Sequence, residues 1–292
     1  MAALTMISHI TVDNTDIFYR HAGPSDPSAP TILLLHGFPS SSHQFRHLLP
    51  LLATRGYSVY APDLPGFGFT TPTTDYIYTF ANLASTIDAF VSALGLNKFA
   101  LYIFDYGAPT GLRLALKRPE DIVAIISQNG NAYKEGFGAD FWDPLKKYWS
   151  SGLLADRNAL SQALKIDAVK SQYMDGSPHP RLIEPESYTL DQALLDRPGN
   201  GDIQLDLFYD YRTNVDLYPQ FQEYFRSSGV PVLTMWGKND TIFVPAGAEA
   251  FAKDVKKLET RWVDTGHFAL ETNEVRFAEE IDLFLKKYNA FK

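Results

Sequence analysis

The chain has no cysteine. Disulfides, thiolate metal sites and thiol nucleophiles are thereby excluded. Also missing is any uninterrupted apolar run near the roughly 20 residues needed to cross a bilayer. The opening MAALTMISHITVDNTD lacks both the basic head and the sustained apolar stretch of a secretory leader, so a cytoplasmic protein with no membrane span is expected. Positive charge is scarce: 26 Lys and Arg against 34 Asp and Glu leave a net charge of −8, and nothing draws such a chain to nucleic acid or anionic lipid. Internal repeats, heptad seams and low-complexity tracts are absent as well. What is present is apolar bulk, 45% hydrophobic and 14% aromatic over 292 residues, enough for a substantial core. The partner this implies is a small molecule; a small apolar substrate with water, no cofactor, and a monomer or homodimer are expected.

Strand and helix patterns alternate along the chain. HITVDN and TDIFYRHA read as a hairpin turning at Asp13 and Asn14. TILLLHG is the continuous apolar run of a strand buried on both faces. YTFANLASTIDAFVSALG has helical spacing and stops on Gly95. KFALYIFD, GAPTGLRLALKR and DIVAIISQN follow as strand, helix and strand. From about Asn131 to Asp216 the rhythm gives way to helices and loops punctuated by GSPHP and RPGNGD, then resumes with VPVLTMWG, PAGAEAFAKDVKKL, TRWVDTG and TNEVRFAEEIDLFLKKY. The pattern predicts an α/β fold: a mostly parallel sheet flanked by helices, formed by 1–130 and 217–292, with a helical cap inserted over 131–216.

Ligands of open α/β sheets sit outside the carboxyl ends of the strands. Three polar residues fall there: Asp105 after YIF, Asp240 shortly after VLTMWG, and His267 after RWVDTG. A charged group ending a buried strand is costly unless partnered or used, so Asp105 is either a surface residue at a tight turn or a group held up for chemistry. Asp264 is the rival to Asp240, but it lies within or at the end of its strand, before the loop that offers His267.

The order carboxylate, acid, histidine, together with HGFP (36–39), DLPGFG (63–68), FDYG (104–107), WGKND (236–240) and TGHF (265–268), resembles the α/β-hydrolase superfamily. The elbow carries Asp105 in place of serine, as in the branch of epoxide hydrolases and haloalkane dehalogenases. A carboxylate suits attack on saturated carbon, because it leaves an ester that activated water can cleave, whereas serine would leave an ether. The resemblance implies that Asp105 is the nucleophile, His267 the base and Asp240 its orienting acid. It also implies that the backbone N–H groups of Phe38 and Tyr106 form the oxyanion hole. Ile103 departs from the small residue usual two before the nucleophile, which requires the facing helix to leave room through Ala108 or Gly111.

Two chemistries remain open. Haloalkane dehalogenases usually place Trp after the nucleophile, and this chain has Tyr106. HGFP matches the HGxP motif of epoxide hydrolases, whose cap tyrosines protonate the opening oxygen. The resemblance implies that role for Tyr211 in DYRTN and for Tyr148 in LKKYW, with Tyr133 and Tyr209 as rivals to Tyr148. Trp142 and Trp149 are expected to line the pocket and keep a halide site open. The expected activity is opening of an epoxide to a vicinal diol; the alternatives are carbon–halogen hydrolysis and ester or lactone hydrolysis. A silent receptor using the same pocket is the other class of reading. His43 and His47, one helical turn apart, find no third ligand, and no metal site is proposed. His36 is expected to brace its loop.

Overall fold

The computed structural model describes residues 3–24, 26 and 28–292. Strands β1 (Met6–Val12) and β2 (Thr15–Ala22) pair antiparallel. Asp13 and Asn14 turn between them at φ of 48° and 61°, the left-handed region that Asn and Asp tolerate best among residues with a side chain. Next come β3 (Thr31–Leu35), α1 (Leu48–Ala53), β4 (Ser58–Pro62), α2 (Phe80–Ala93), β5 (Phe99–Phe104), α3 (Gly107–Lys117) and β6 (Ile122–Gln128). Six helices then run without a strand among them: α4 (Ala139–Ser151), α5 (Leu154–Ala159), α6 (Ile166–Met174), α7 (Pro185–Leu195), α8 (Asn200–Asp210) and α9 (Arg212–Ser228). β7 (Val232–Gly237), α10 (Ala246–Ala250), β8 (Leu258–Val263) and α11 (Glu274–Lys287) complete the chain.

The eight strands form one sheet in the order β1-β2-β4-β3-β5-β6-β7-β8. From β4 through β8 every pairing is parallel. The apolar runs read from the sequence alternate between the two faces with the strand period. Leu33, Leu35, Leu101 and Ile103 join α2 and α3 in one apolar cluster. Ile32, Leu34, Ala100, Tyr102 and Phe104 join α1 and α11 in the other. A strand that feeds two cores has no polar face, which is why these segments lack alternation.

Two boundaries differ from expectation. The helix expected over PAGAEAFAKDVKKL keeps α-form only through Ala250, tightens to a 3-10 turn at Phe251–Lys253, and yields to β8 at Leu258. Asp216, the expected limit of the insertion, falls inside α9, which continues to a left-handed Gly229. The six helices are tied to the sheet by polar seams. Arg46 bonds both Glu184 of the insertion and Glu271 of the core. Asp210 accepts from the Phe80 N–H at 2.7 Å, and Arg113 donates to Asn214.

Candidate active site

The turn from β5 into α3 puts Asp105 at φ 47°. A non-glycine residue in that region costs about 1–2 kcal/mol, and three glycines make it possible. A Cβ on Gly37 would lie 2.3 Å from Asp105 Oδ1 and 2.5 Å from the Tyr106 nitrogen. One on Gly107 would lie 2.2 Å from the Leu35 carbonyl oxygen. The branched Ile103 is accommodated opposite Gly111, where a Cβ would stand 2.7 Å from Ile103 Cγ2. Of the two residues considered for making that room, Gly111 is the one that faces Ile103.

The two oxygens of Asp105 have different surroundings. Oδ1 accepts from the Phe38 N–H at 2.7 Å and the Tyr106 N–H at 2.6 Å. Oδ2 has no such donors and faces His267 Nε2 at 3.7 Å. The carboxyl is 5% exposed. Burial pushes it up to about 6, against the lowering effect of His267 and the two N–H groups.

His267 Nδ1 lies 2.9 Å from Asp240 Oδ2, while its Nε2 is buried with no protein partner. Asp240 is otherwise saturated: Oδ1 accepts from the N–H groups of Ile242 and Phe243, and Oδ2 also accepts from Asn129 Nδ2 at 2.6 Å. A carboxylate held this way fixes Nδ1 as the protonated nitrogen and leaves Nε2 as the lone-pair end. Burial lowers the imidazole pKa, but the charges of Asp240 and Asp105 outweigh it and raise the net value. Asp264 is exposed and takes a hydrogen bond from Asn239. The structure brings Asp240, not Asp264, to the histidine. Asn129, at φ 45° just past β6, went unread in the sequence. Its only signal there is a polar SQNGN closing an apolar strand.

His36 braces its loop: Nδ1–H donates to the Gly37 carbonyl and Nε2 accepts from the Leu64 N–H at 2.9 Å. DLPGFG wraps around Asp63, whose two oxygens accept from the Ser42 and Phe69 N–H groups. His43 and His47 do not converge. His47 meets Glu184, and His43 is half-buried with its pKa lowered to about 4 by burial and by Arg46 and Arg20. Among the described residues no three His, Asp or Glu gather as a metal site would require.

Above Asp105 the insertion contributes an aromatic roof. Tyr211, fully buried where α8 meets α9, packs on Phe80, Tyr106 and Trp142. Burial pushes its hydroxyl well above the ordinary tyrosine value, and the nearby Tyr218 and Asp105 add to that. Its hydroxyl stands 3.4 Å from that of Tyr218, which Asn131 Nδ2 also approaches. Trp142 and Trp149 both line this roof, the latter stacked on Tyr211 at an interplanar angle of 3°. Their indole N–H groups are committed, to the carbonyls of Ile242 and Phe208 at 2.8 and 2.7 Å. Tyr148 does not join them. Its ring packs on Tyr209, 4.7 Å between centroids, and makes no hydrogen bond to Tyr211 or Asp105. Tyr148 is buried on α4 beside Trp142 and Leu145, but its ring is taken up by Tyr209. Of the rivals, Tyr133 donates to Asp254 and Tyr209 lies under Arg212. The tyrosine whose hydroxyl meets that of Tyr211 is Tyr218.

Residues 30–274 match the family described as alpha/beta hydrolase fold. The chain belongs to that family. It is 52% identical over 273 residues to the uncharacterized hydrolase YNR064C of Saccharomyces cerevisiae, covering 92% of this chain and 93% of that protein. It is 32% identical over 152 residues to epoxide hydrolase 3 of Siraitia grosvenorii, covering 48% of each. Among solved structures, the haloalkane dehalogenase DbeA from Bradyrhizobium elkani USDA94 superposes with a TM-score of 0.79 at 22% identity, over 99% of this chain and 100% of that one. This α/β-hydrolase is therefore a hydrolase with relatives in both the epoxide and the carbon–halogen group. No helix among the described residues is long and apolar enough to cross a membrane.

Proposed function

We propose that the enzyme opens an epoxide to a vicinal diol through an ester on Asp105. The observation that carries this is the inequivalence of the Asp105 oxygens. Oδ1 is held by two N–H donors, so Oδ2 is the free nucleophile. Oδ2 attacks an epoxide carbon and the carbon–oxygen bond of the ring breaks. The leaving alkoxide takes a proton from Tyr211, whose raised pKa keeps that proton on until a strong base appears beside it. The ester carbonyl is then Oδ1, already in the oxyanion hole.

Ester formation removes the Asp105 charge, one of the influences that raise the His267 pKa. The pKa then falls, so a larger share of the imidazole is neutral, with its Nε2 lone pair free, at the step that needs a base. Nε2 takes a proton from water, and the hydroxide adds to the Asp105 carboxyl carbon. The oxyanion on Oδ1 draws on the Phe38 and Tyr106 N–H groups, each donor of this kind contributing roughly 3–4 kcal/mol. Collapse breaks the bond between the carboxyl carbon and Oδ2; the departing alkoxide takes the proton held by His267 and leaves as the diol. The proton on the new Asp105 carboxyl returns to Tyr211 by way of solvent.

Halide release favours N–H donors, and both roof tryptophans spend theirs on backbone carbonyls. That tilts the reading from carbon–halogen to epoxide substrates. The test is intact-protein mass spectrometry of His267→Gln with panels of epoxides and haloalkanes. A persistent adduct with the mass of a whole epoxide is expected. An adduct lacking halogen would move the function to dehalogenation, and no adduct with either panel would end the ester mechanism.

A further inference from the structure

A cavity of about 250 Å3 opens between α4 and α6 and runs inward to Asp240 and His267. This is below the roughly 300–1,000 Å3 of sites for drug-sized ligands. At its outer end stand Asp140 and Asp175, both exposed. Phe141, Ala163, Ala168 and Ile242 give it apolar walls, and at its floor is His267, with its Nε2 buried and unpartnered. Among the described residues no Lys or Arg lines it.

We infer that this passage is the substrate entrance, and that its acidic mouth makes the enzyme selective for small uncharged or cationic epoxides over carboxylate-bearing ones. The inference rests on the epoxide-opening reading and adds the charge class of the substrate. An incoming carboxylate meets two like charges at the mouth and finds no Lys or Arg deeper in. A narrow opening with low-dielectric walls focuses that field, and clefts of one sign shift association rates by about tenfold or more at low salt. A volume of about 250 Å3 leaves room for a small epoxide, not for a long chain.

Three epoxides of one skeleton separate the outcomes: glycidamide (neutral), glycidate (anionic) and glycidyltrimethylammonium (cationic). In the wild type at low ionic strength, kcat/KM for glycidate is expected to fall roughly tenfold below that for glycidamide. Added salt should narrow that gap by screening. In Asp140→Asn/Asp175→Asn the glycidate rate should rise relative to glycidamide, and the cationic epoxide should move the opposite way. The salt series needs no variant, so it tests the mouth even if the double substitution perturbs folding. Opening of glycidamide with ratios that neither salt nor the double variant moves would overturn the entrance while leaving the reaction intact. Failure to open any of the three would overturn the reaction reading and the entrance with it.

Discussion

Asp105 is held against two costs, a left-handed backbone and a buried charge, and both should be measurable. Its folded pKa of about 6 exceeds the unfolded value of 3.8, so the folded state keeps the proton to higher pH. The sign follows from linkage: this group lowers stability as pH rises from about 4 to about 6, and the loss is constant above. Asp105→Asn removes the charge and keeps the shape. It should abolish adduct formation while raising stability by up to about 3 kcal/mol at pH 7, equivalent to a few degrees in Tm. The gain should vanish near pH 4. Thermal unfolding of both proteins across that range checks it, and an unchanged or lower Tm at pH 7 would contradict the buried-charge account. At this scale the sequence was readable where chemistry forces a residue to a strand end, as for Asp105 and His267. Asn129 was not, because its role is a contact with Asp240 across 111 positions that no local pattern records.

Elements were readable where one period holds throughout, as in β3 and β5, whose runs serve two apolar clusters at once. They were less readable at their ends: α10 gives way to a 3-10 turn after Ala250, and α9, packed against α3, runs through Asp216 to Ser228. Choosing the roof tyrosine required the rotation of α4 and α9 about their own axes. The sequence points to Tyr148, with Tyr133 and Tyr209 as rivals, and passes over Tyr218; tertiary packing sets the Tyr218 hydroxyl beside that of Tyr211. The contact of α3 on β5 yields a prediction of its own. Gly111→Ala would set a methyl 2.7 Å from Ile103 Cγ2 and 3.0 Å from Leu101 Cδ2. A helical Gly→Ala change in an open setting stabilises by roughly 1 kcal/mol, yet here overpacking should win and the variant should lose about 1–3 kcal/mol in denaturant unfolding. The added substitution Ile103→Leu, which has no Cγ2, should recover part of that loss.

Across the whole molecule, the helical insertion and the sheet share one buried ion cluster. Arg46 is bound to Glu184 on one side and on the other to Glu271, whose side chain is 2% exposed and also accepts from Ser187 at 2.6 Å. Arg46→Met would strand the Glu271 carboxylate, and breaking a buried pair from one side costs roughly 3–5 kcal/mol. Urea unfolding should show that loss, and Arg46→Met/Glu271→Gln should restore most of it. Motifs announced the sheet and its strand-end chemistry, but this seam joins residues 138 and 225 positions apart and had no signature. The unequal fastening of the Asp105 carboxyl also reaches beyond a single reaction cycle. Oδ1 is pinned by two N–H groups; in the proposed reaction it stays, while Oδ2 departs inside each diol and is replaced from water. Under that reaction the protein would carry one oxygen incorporated during its synthesis beside another that is only as old as the last molecule it released.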